Sequence, residues 1–468
     1  MRPPLLIAIL FLLSCNMSQV QAAQADYGDP RQYGAIYDGV TDCSEAINRC
    51  ISDHKHVRLI GEGTALCRHS IILRSGTWLE LDHAFRLKLA DGVNDVLIRN
   101  EWAQQAYYMG KNLIDGKLPS FMAELYPDYG FTYPSPHYRL GEPDKHIRIS
   151  GGIFDGNGGQ QTRQDYRYGC VGYWGILMAL SNVDGFTMTD VTLSDPCTYF
   201  TNFSKMCNFH ISDIRLELVE KRLNQDGIHI EGECYNGLIE NIFGQTNDDM
   251  VALNGGDSWF PKNIGGEITD EAKRRWHPFV QGAIENIVVR NIFAHEGYRC
   301  LRLLSNARIE NISPADETEG MKGIVIDGIY GSYLMDLFLI SNHIGIPKSY
   351  SDITLRNVKA TSKGRNNINI EAVNIGSLVI EGMDYYPTNT THHVMLNRGN
   401  IQNLMLRDVT LHNKENLDLS TKSAINHSGN IGKLKLSNVI SLGQHYKNIC
   451  DTEHGSVISS ESIFSDYQ

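Results

Sequence analysis

From about residue 146 the apolar and polar positions keep returning to one short phrase: two alternating apolar residues, a polar residue, then Asn, Asp or Gly, then Val, Ile or Met. It reads Ile147-Arg148-Ile149 before Gly152-Ile153, Phe186-Thr187-Met188 before Asp190-Val191, and Phe209-His210-Ile211 before Asp213-Ile214. It comes back at Asn241-Ile242, Asn291-Ile292, Gly328-Ile329, Asn357-Val358, Gly382-Met383, Asp408-Val409 and Asn438-Val439. The spacings are 38, 23, 28, 50, 37, 29, 25, 26 and 30 residues, a short repeat with irregular additions. Period-2 alternation rich in Ile and Val predicts short strands, and a small polar residue that tolerates a left-handed backbone predicts a tight bend after each. One strand set per repeat stacks in parallel, every coil burying its apolar face on the next. The predicted fold is all-β: a single-stranded right-handed parallel β-helix, a solenoid with an N-terminal capping helix and long loops.

Such a stack needs its end covered. Thr41 to Asp53 has Ala46, Ile47, Cys50 and Ile51 on one side and predicts a short amphipathic helix suited to that task. Two long interruptions break the repeat. Glu101 to Lys145 carries Trp102, Tyr107, Tyr108, Phe121, Tyr126 and further aromatics, and Asn254 to Gln281 carries Trp259, Trp276 and His277. Loops of that length serve function or need a small core of their own. A basic, aromatic run at Arg163, Arg167 and Tyr168 reads either as a contact for an acidic sugar or as a solvated loop.

The expected organisation is a signal peptide over 1–25, a cap segment over 26–60, one β-helix domain over 61–450 and a polar tail over 451–468. Arg2, the apolar run Leu5 to Leu13 and Ala23-Gln24-Ala25 have the layout of a cleaved export signal. Leu12-Leu13-Ser14-Cys15 admits a second reading, a lipoprotein signal with Cys15 acylated. The expected location is therefore secreted or periplasmic, or lipid-anchored at the cell surface. No later apolar run is long enough for a helical membrane span.

Composition narrows the partners. Lys and Arg number 42 against 54 Asp and Glu, a net charge of -12, which disfavours nucleic acid because phosphate binding depends on clustered cations. Ten cysteines form no C-x-x-C pair, so zinc and thioredoxin-like sites are not indicated. Export would permit disulfides, and buried free thiols in a β-rich core are the equal alternative.

The densest chemistry lies in Leu223 to Gly255, where Asp226 precedes Asp248 by 22 residues and Asp249 by 23, about one coil. Residues one coil apart sit roughly 4.8 Å apart along the stack, so the three carboxylates converge on one patch. Glycosidic hydrolysis needs one protonated carboxyl for the leaving oxygen and one ionised carboxylate for water or carbon. Crowding supplies the difference, because like charges at short range cannot all ionise.

These residues resemble glycoside hydrolase family 28, the polygalacturonases and their relatives within the pectin-lyase-like β-helices. The family's Asn-Thr-Asp-Gly is similar to Asn224-Gln225-Asp226-Gly227, its Asp-Asp pair to Asp248-Asp249, and its Gly-x-x-Asp-Gly-x-Gly segment to Gly152 through Gly158. The resemblance implies inverting hydrolysis with Asp248 as general acid and Asp226 and Asp249 handling the water. The family's Gly-His-Gly and Arg-Ile-Lys motifs are not intact; nearest are His295-Glu296-Gly297 and Arg299 or Arg302. That departure puts galacturonate itself in question, since the missing cations would grip its carboxylate.

The expected catalytic residues are thus Asp226, Asp248 and Asp249. The expected substrate contacts are His229, His295, Arg299, Arg302 and Asn224, with His229 turned to the outer face between Ile228 and Ile230. The expected partner is a polysaccharide or oligosaccharide, with no cofactor; calcium is conceivable on this fold, but nothing has the spacing of a recognised calcium loop. Long loops walling the groove would favour attack from chain ends. Two other classes fit the scaffold: a lyase or epimerase, which would need a basic proton acceptor, and a noncatalytic glycan binder whose Asp residues only cap turns.

Overall fold

The structure is a computed structural model, and it describes residues 27–103, 142–161, 175–256, 282–305, 320–341, 349–364, 366–442, 446–450 and 457–460. The expected signal, the Arg163 to Tyr168 run and most of both long interruptions lie outside these residues.

The described chain is a parallel β-helix. Every strand pairs in parallel with one a coil away, and three ladders run the length of the stack. The first contains β12 (Ile228–Glu231), β14 (Asp249–Gly256), β16 (Arg299–Ser305) and β18 (Phe338–Ser341), followed by the start of β20 (Ile368–Tyr385). The second and third ladders are built from the two halves of longer strands such as β11 (Thr201–Glu217), β13 (Cys234–Gly244), β15 (Ile284–Gly297) and β17 (Met321–Tyr333). Inside, the alternating apolar residues form one continuous core; the ranks Ile239, Val289, Ile326, Leu355 and Ile380 are fully buried.

The returning phrase has a backbone cause. All ten anchors, from Gly152 and Asp190 to Asp408 and Asn438, have positive φ, with the non-glycine members between 52° and 60°. Asn, Asp and Gly adopt that left-handed conformation most readily, so each anchor bends its strand from the second ladder to the third. The column is also hydrogen-bonded along the stack: Asn241 Nδ2 donates to Asp213 at 2.9 Å and Asn291 Nδ2 to Asn241 at 3.0 Å. A second left-handed column, Gly185, Asn208, Asn236, Asn286, Gly323 and Asp352, precedes it in each coil and escaped the phrase because its neighbours vary. Substituting Asn291 with Val should cost about 1–2 kcal/mol more than substituting it with Gly, which pays no left-handed penalty; chemical denaturation of the two variants measures the difference.

At the N-terminal end α1 (Ser44–Asp53) buries Ala46, Ile47, Cys50 and Ile51 as expected. Asn48 ties it to the first coils, donating to the Ser70 carbonyl at 2.9 Å and accepting from the Ile72 amide at 2.8 Å. The eight described cysteines are free thiols, seven of them buried, so packing and not cross-linking explains them. Within the expected polar tail, β25 (Val457–Ser460) pairs with β23 (Asn430–Leu442) and adds another rung.

Candidate active site

The first ladder and the turns leading into it carry the chemistry. Ile228 pairs with Val251, and Asp249 pairs with Arg299, so Asp226, Asp249 and Arg299 begin three successive coils at one level. The Asp249 amide donates to Asp226 Oδ1 at 3.2 Å, which closes the spacing of 23 residues into one turn of the solenoid. Gly227 is needed there: a Cβ would lie 2.4 Å from the Met250 carbonyl oxygen of the next coil.

Asp226, Asp248 and Asp249 each offer an oxygen within 4.8 Å of the others. Asp226 and Asp249 are buried, whereas Asp248 keeps 21% of its side chain exposed. Arg299 Nη1 donates to Asp249 Oδ1 at 2.5 Å and lies 3.5 Å from Asp248 Oδ1. Burial, followed by the neighbouring charges of Asp249 and Asp226, lifts the Asp248 carboxyl well above the ordinary carboxylate range, against the opposing pull of Arg299 and Arg302. Asp249 is also raised, by burial first, but Arg299 offsets part of the rise. A proton entering the cluster therefore resides on Asp248, the carboxyl with the least cationic support and the most open face. Among the described residues Asp249 Oδ2 is buried without a hydrogen-bond partner, an acceptor left open in the cluster.

These three side chains are also the one acidic group among the described residues spaced to hold a metal. Arg299 already brings a cation to Asp249 and Asp248.

Two expected substrate contacts have other duties. His229 does alternate out of the apolar core, yet it is fully buried: Nδ1 lies 2.7 Å from Asp226 Oδ2 and Nε2 lies 2.8 Å from Glu231 Oε2. Its ring stacks on Tyr199 at 4.4 Å, leaving no edge for a sugar. Arg299 is buried and committed to Asp249, so it does not stand free to grip a substrate carboxylate. Arg302 pairs in register with Ala252 and is half-buried beside the cluster. Asn224 is half-buried with φ 57°, shaping the turn into Asp226. His295 is exposed on β15, and among the described residues no hydrogen bond or ion pair joins it to the carboxylates.

Glu231 was missed. It is fully buried beside His229 and accepts from Asn202 at 3.3 Å. The signal was present in Ile228-His229-Ile230-Glu231, where two titratable residues occupy the outward positions of one strand.

Residues 141–267 match the family model of Glycosyl hydrolases family 28. The matched stretch contains all three carboxylates and ends before Arg299 and Arg302. No curated protein matches the sequence. Among solved structures the fold is similar to the A-module of mannuronan C-5 epimerase AlgE6 from Azotobacter vinelandii, at 13% identity and TM-score 0.61 over 94% of this chain and 100% of that one. It is similar to PfbA, a surface adhesin of Streptococcus pneumoniae, at 13% identity and TM-score 0.52 over 88% and 91%. It is also similar to a hyperthermoactive exopolygalacturonase from Thermotoga maritima, at 13% identity and TM-score 0.50 over 89% and 92%. At such identities the likeness concerns the parallel β-helix alone, and the chemistry must be read from the family 28 segment and the site.

Proposed function

We propose that the protein is a glycoside hydrolase acting on a pectin-like or related polysaccharide or oligosaccharide, with Asp248 as general acid and Asp249 and Asp226 holding and deprotonating water. The observation that carries this reading is the separation of roles within one cluster. Asp248 is partly exposed and its carboxyl is pushed well above the ordinary range, while Asp249, held against Arg299, offers a buried oxygen with no partner among the described residues. Acid and base are thereby supplied at one pH by three residues of the same type.

The lyase or epimerase alternative needs a basic residue able to take a proton. Burial works against the charge on Arg299, but Asp249 and Asp248 outweigh it and raise its pKa further, so it does not serve as a proton acceptor. A pure binder would have no use for a buried carboxylate oxygen left unsatisfied at a desolvation cost. Export follows from the same reading, because a polymeric glycan is met outside the cell; separation of cell, membrane and medium fractions tests it and distinguishes a soluble product from a Cys15-anchored one.

Stereochemistry is where resemblance and spacing diverge. Oxygens within 4.8 Å are nearer the ~5–5.5 Å of retaining pairs than the ~6.5–9.5 Å of inverting ones. Inversion is favoured, because Arg299 draws electron density from Asp249 Oδ1 and the carboxylate is then a better water holder than a nucleophile at carbon. Incubation with a panel of pectic and other glycans should release reducing ends without the ultraviolet signal of an unsaturated product. Proton NMR of the first product should show the anomer opposite to the substrate's. An ultraviolet rise would overturn the hydrolase reading, and the retained anomer would overturn only the inversion.

A further inference from the structure

We propose that Glu231 and His229 form a buried positioning pair that sets a cation against Asp226 and fixes its orientation, leaving Asp248 to take the catalytic proton. The inference rests on the hydrolase reading of the site and adds to it a device that assigns the proton among crowded carboxylates.

The geometry demands two donors on one ring. His229 Nδ1 faces Asp226 Oδ2 at 2.7 Å while Nε2 faces Glu231 Oε2 at 2.8 Å. A neutral imidazole carries a single N–H, so one of those contacts would set a lone pair against a carboxylate oxygen. The imidazolium satisfies both. Burial alone would strip its proton, but the hydrogen bonds to Asp226 and Glu231 outweigh that and hold its pKa up to about 10. Asn254 Nδ2 of the next coil lies 3.1 Å from Nε2, and the charged ring requires that amide to be flipped, so that its oxygen accepts from the same N–H. From the preceding coil Asn202 donates to Glu231 at 3.3 Å, and the Tyr199 ring covers the imidazolium face. Asp226 and Glu231 are the charged groups whose contacts with the ring are described, and Asp248, Asp249, Arg299 and Arg302 surround Asp226 beyond it.

Asp226 is then held at both oxygens, Oδ2 by His229 and Oδ1 by the Asp249 amide at 3.2 Å. The cluster contains one internal cation for Asp226, which is His229, and one for Asp249, which is Arg299. Asp248 shares Arg299 with Asp249 at the longer distance of 3.5 Å, and it is the group that takes the proton. His229 and Glu231 touch no reacting atom, so both are positioning residues.

The test pairs a charge measurement with kinetics. With ¹⁵N-labelled histidine, assigned by difference from His229→Gln, both ring nitrogens of His229 should carry protons at about pH 8, well above the ordinary imidazole range. Glu231→Gln, which keeps the shape and removes the charge, should lower that titration by at least about one pH unit. In kinetics on the best glycan of the panel, His229→Gln should reduce kcat at least about tenfold, with KM within about twofold. The acid limb of its pH profile should move upward, because the carboxylate cluster as a whole loses a cation. Glu231→Asp should restore the profile of the parent. A purely structural role predicts less folded protein with both limbs unmoved, and that result, or a neutral His229 near pH 7, overturns the proposal. If the parent protein cleaves no glycan, the hydrolase reading falls, and the nitrogen resonances alone decide whether the charge assignment stands.

Discussion

Asp248→Asn is expected to lower hydrolysis by about 10²–10⁴-fold while leaving glycan binding close to that of the parent. The amide keeps the size and the hydrogen-bonding reach of the carboxyl but cannot deliver a proton to the leaving oxygen. The loss should fall on kcat with KM little changed, since the group acts in the transition state. The pH dependence follows in sign. Asp248 must be protonated, so activity falls as pH rises through its raised pKa; Asp249 must be ionised, so activity falls as pH drops through its own. Both are displaced upward, which places the bell above the ordinary carboxylate range. The same shift has a consequence for stability. A carboxyl raised in the folded state favours folding at low pH and costs stability increasingly as pH rises from the unfolded value to the folded one. Asp248→Asn should therefore melt about 2 °C higher than the parent at neutral pH, checked by calorimetry across pH. A variant that retained full activity would remove Asp248 from the mechanism.

Arg299→Met should produce the largest loss of stability, about 3–5 kcal/mol, because it strips the buried Asp249 of the cation hydrogen-bonded to it. The partner substitution predicts a compensation. Asp249→Asn combined with Arg299→Met should recover most of the stability, since no charge is then left buried and unpaired. Activity should not return in the double variant, which distinguishes ion pairing from catalysis. Denaturant titration of the two single variants and the double gives the coupling directly. Arg299→Lys should fall between, retaining the charge but not the planar reach of the guanidinium. If Arg299→Met proved as stable as the parent, the ion pair with Asp249 would not exist in solution.

How much was legible before the structure differs from one residue to the next. The strand alternation and the left-handed anchors announced the solenoid because each coil repeats the same local demand: two inward apolar residues, then a bend that Asn, Asp or Gly can make. The 22- and 23-residue offsets carried Asp226 to Asp248 and Asp249 for the same reason, since one coil of sequence is one step of the stack. Arg299 lies 50 residues past Asp249, across the interruption Asn254 to Gln281, and no periodic count can predict that the two begin adjacent coils. Its role changed accordingly from sugar grip to internal counter-charge. His229 changed likewise, because alternation tells which side of a strand a residue occupies and not what covers that side.

Sequence by itself determined the parallel β-helix, the capping helix and the convergence of three carboxylates, all of which arise from local periodicity summed over coils. Tertiary structure alone decided which of those carboxylates has a cation. Charge state depends on burial and on neighbours distant along the chain, here Arg299 for Asp249 and the His229 and Glu231 pair for Asp226, and those distances exist only once the coils are stacked.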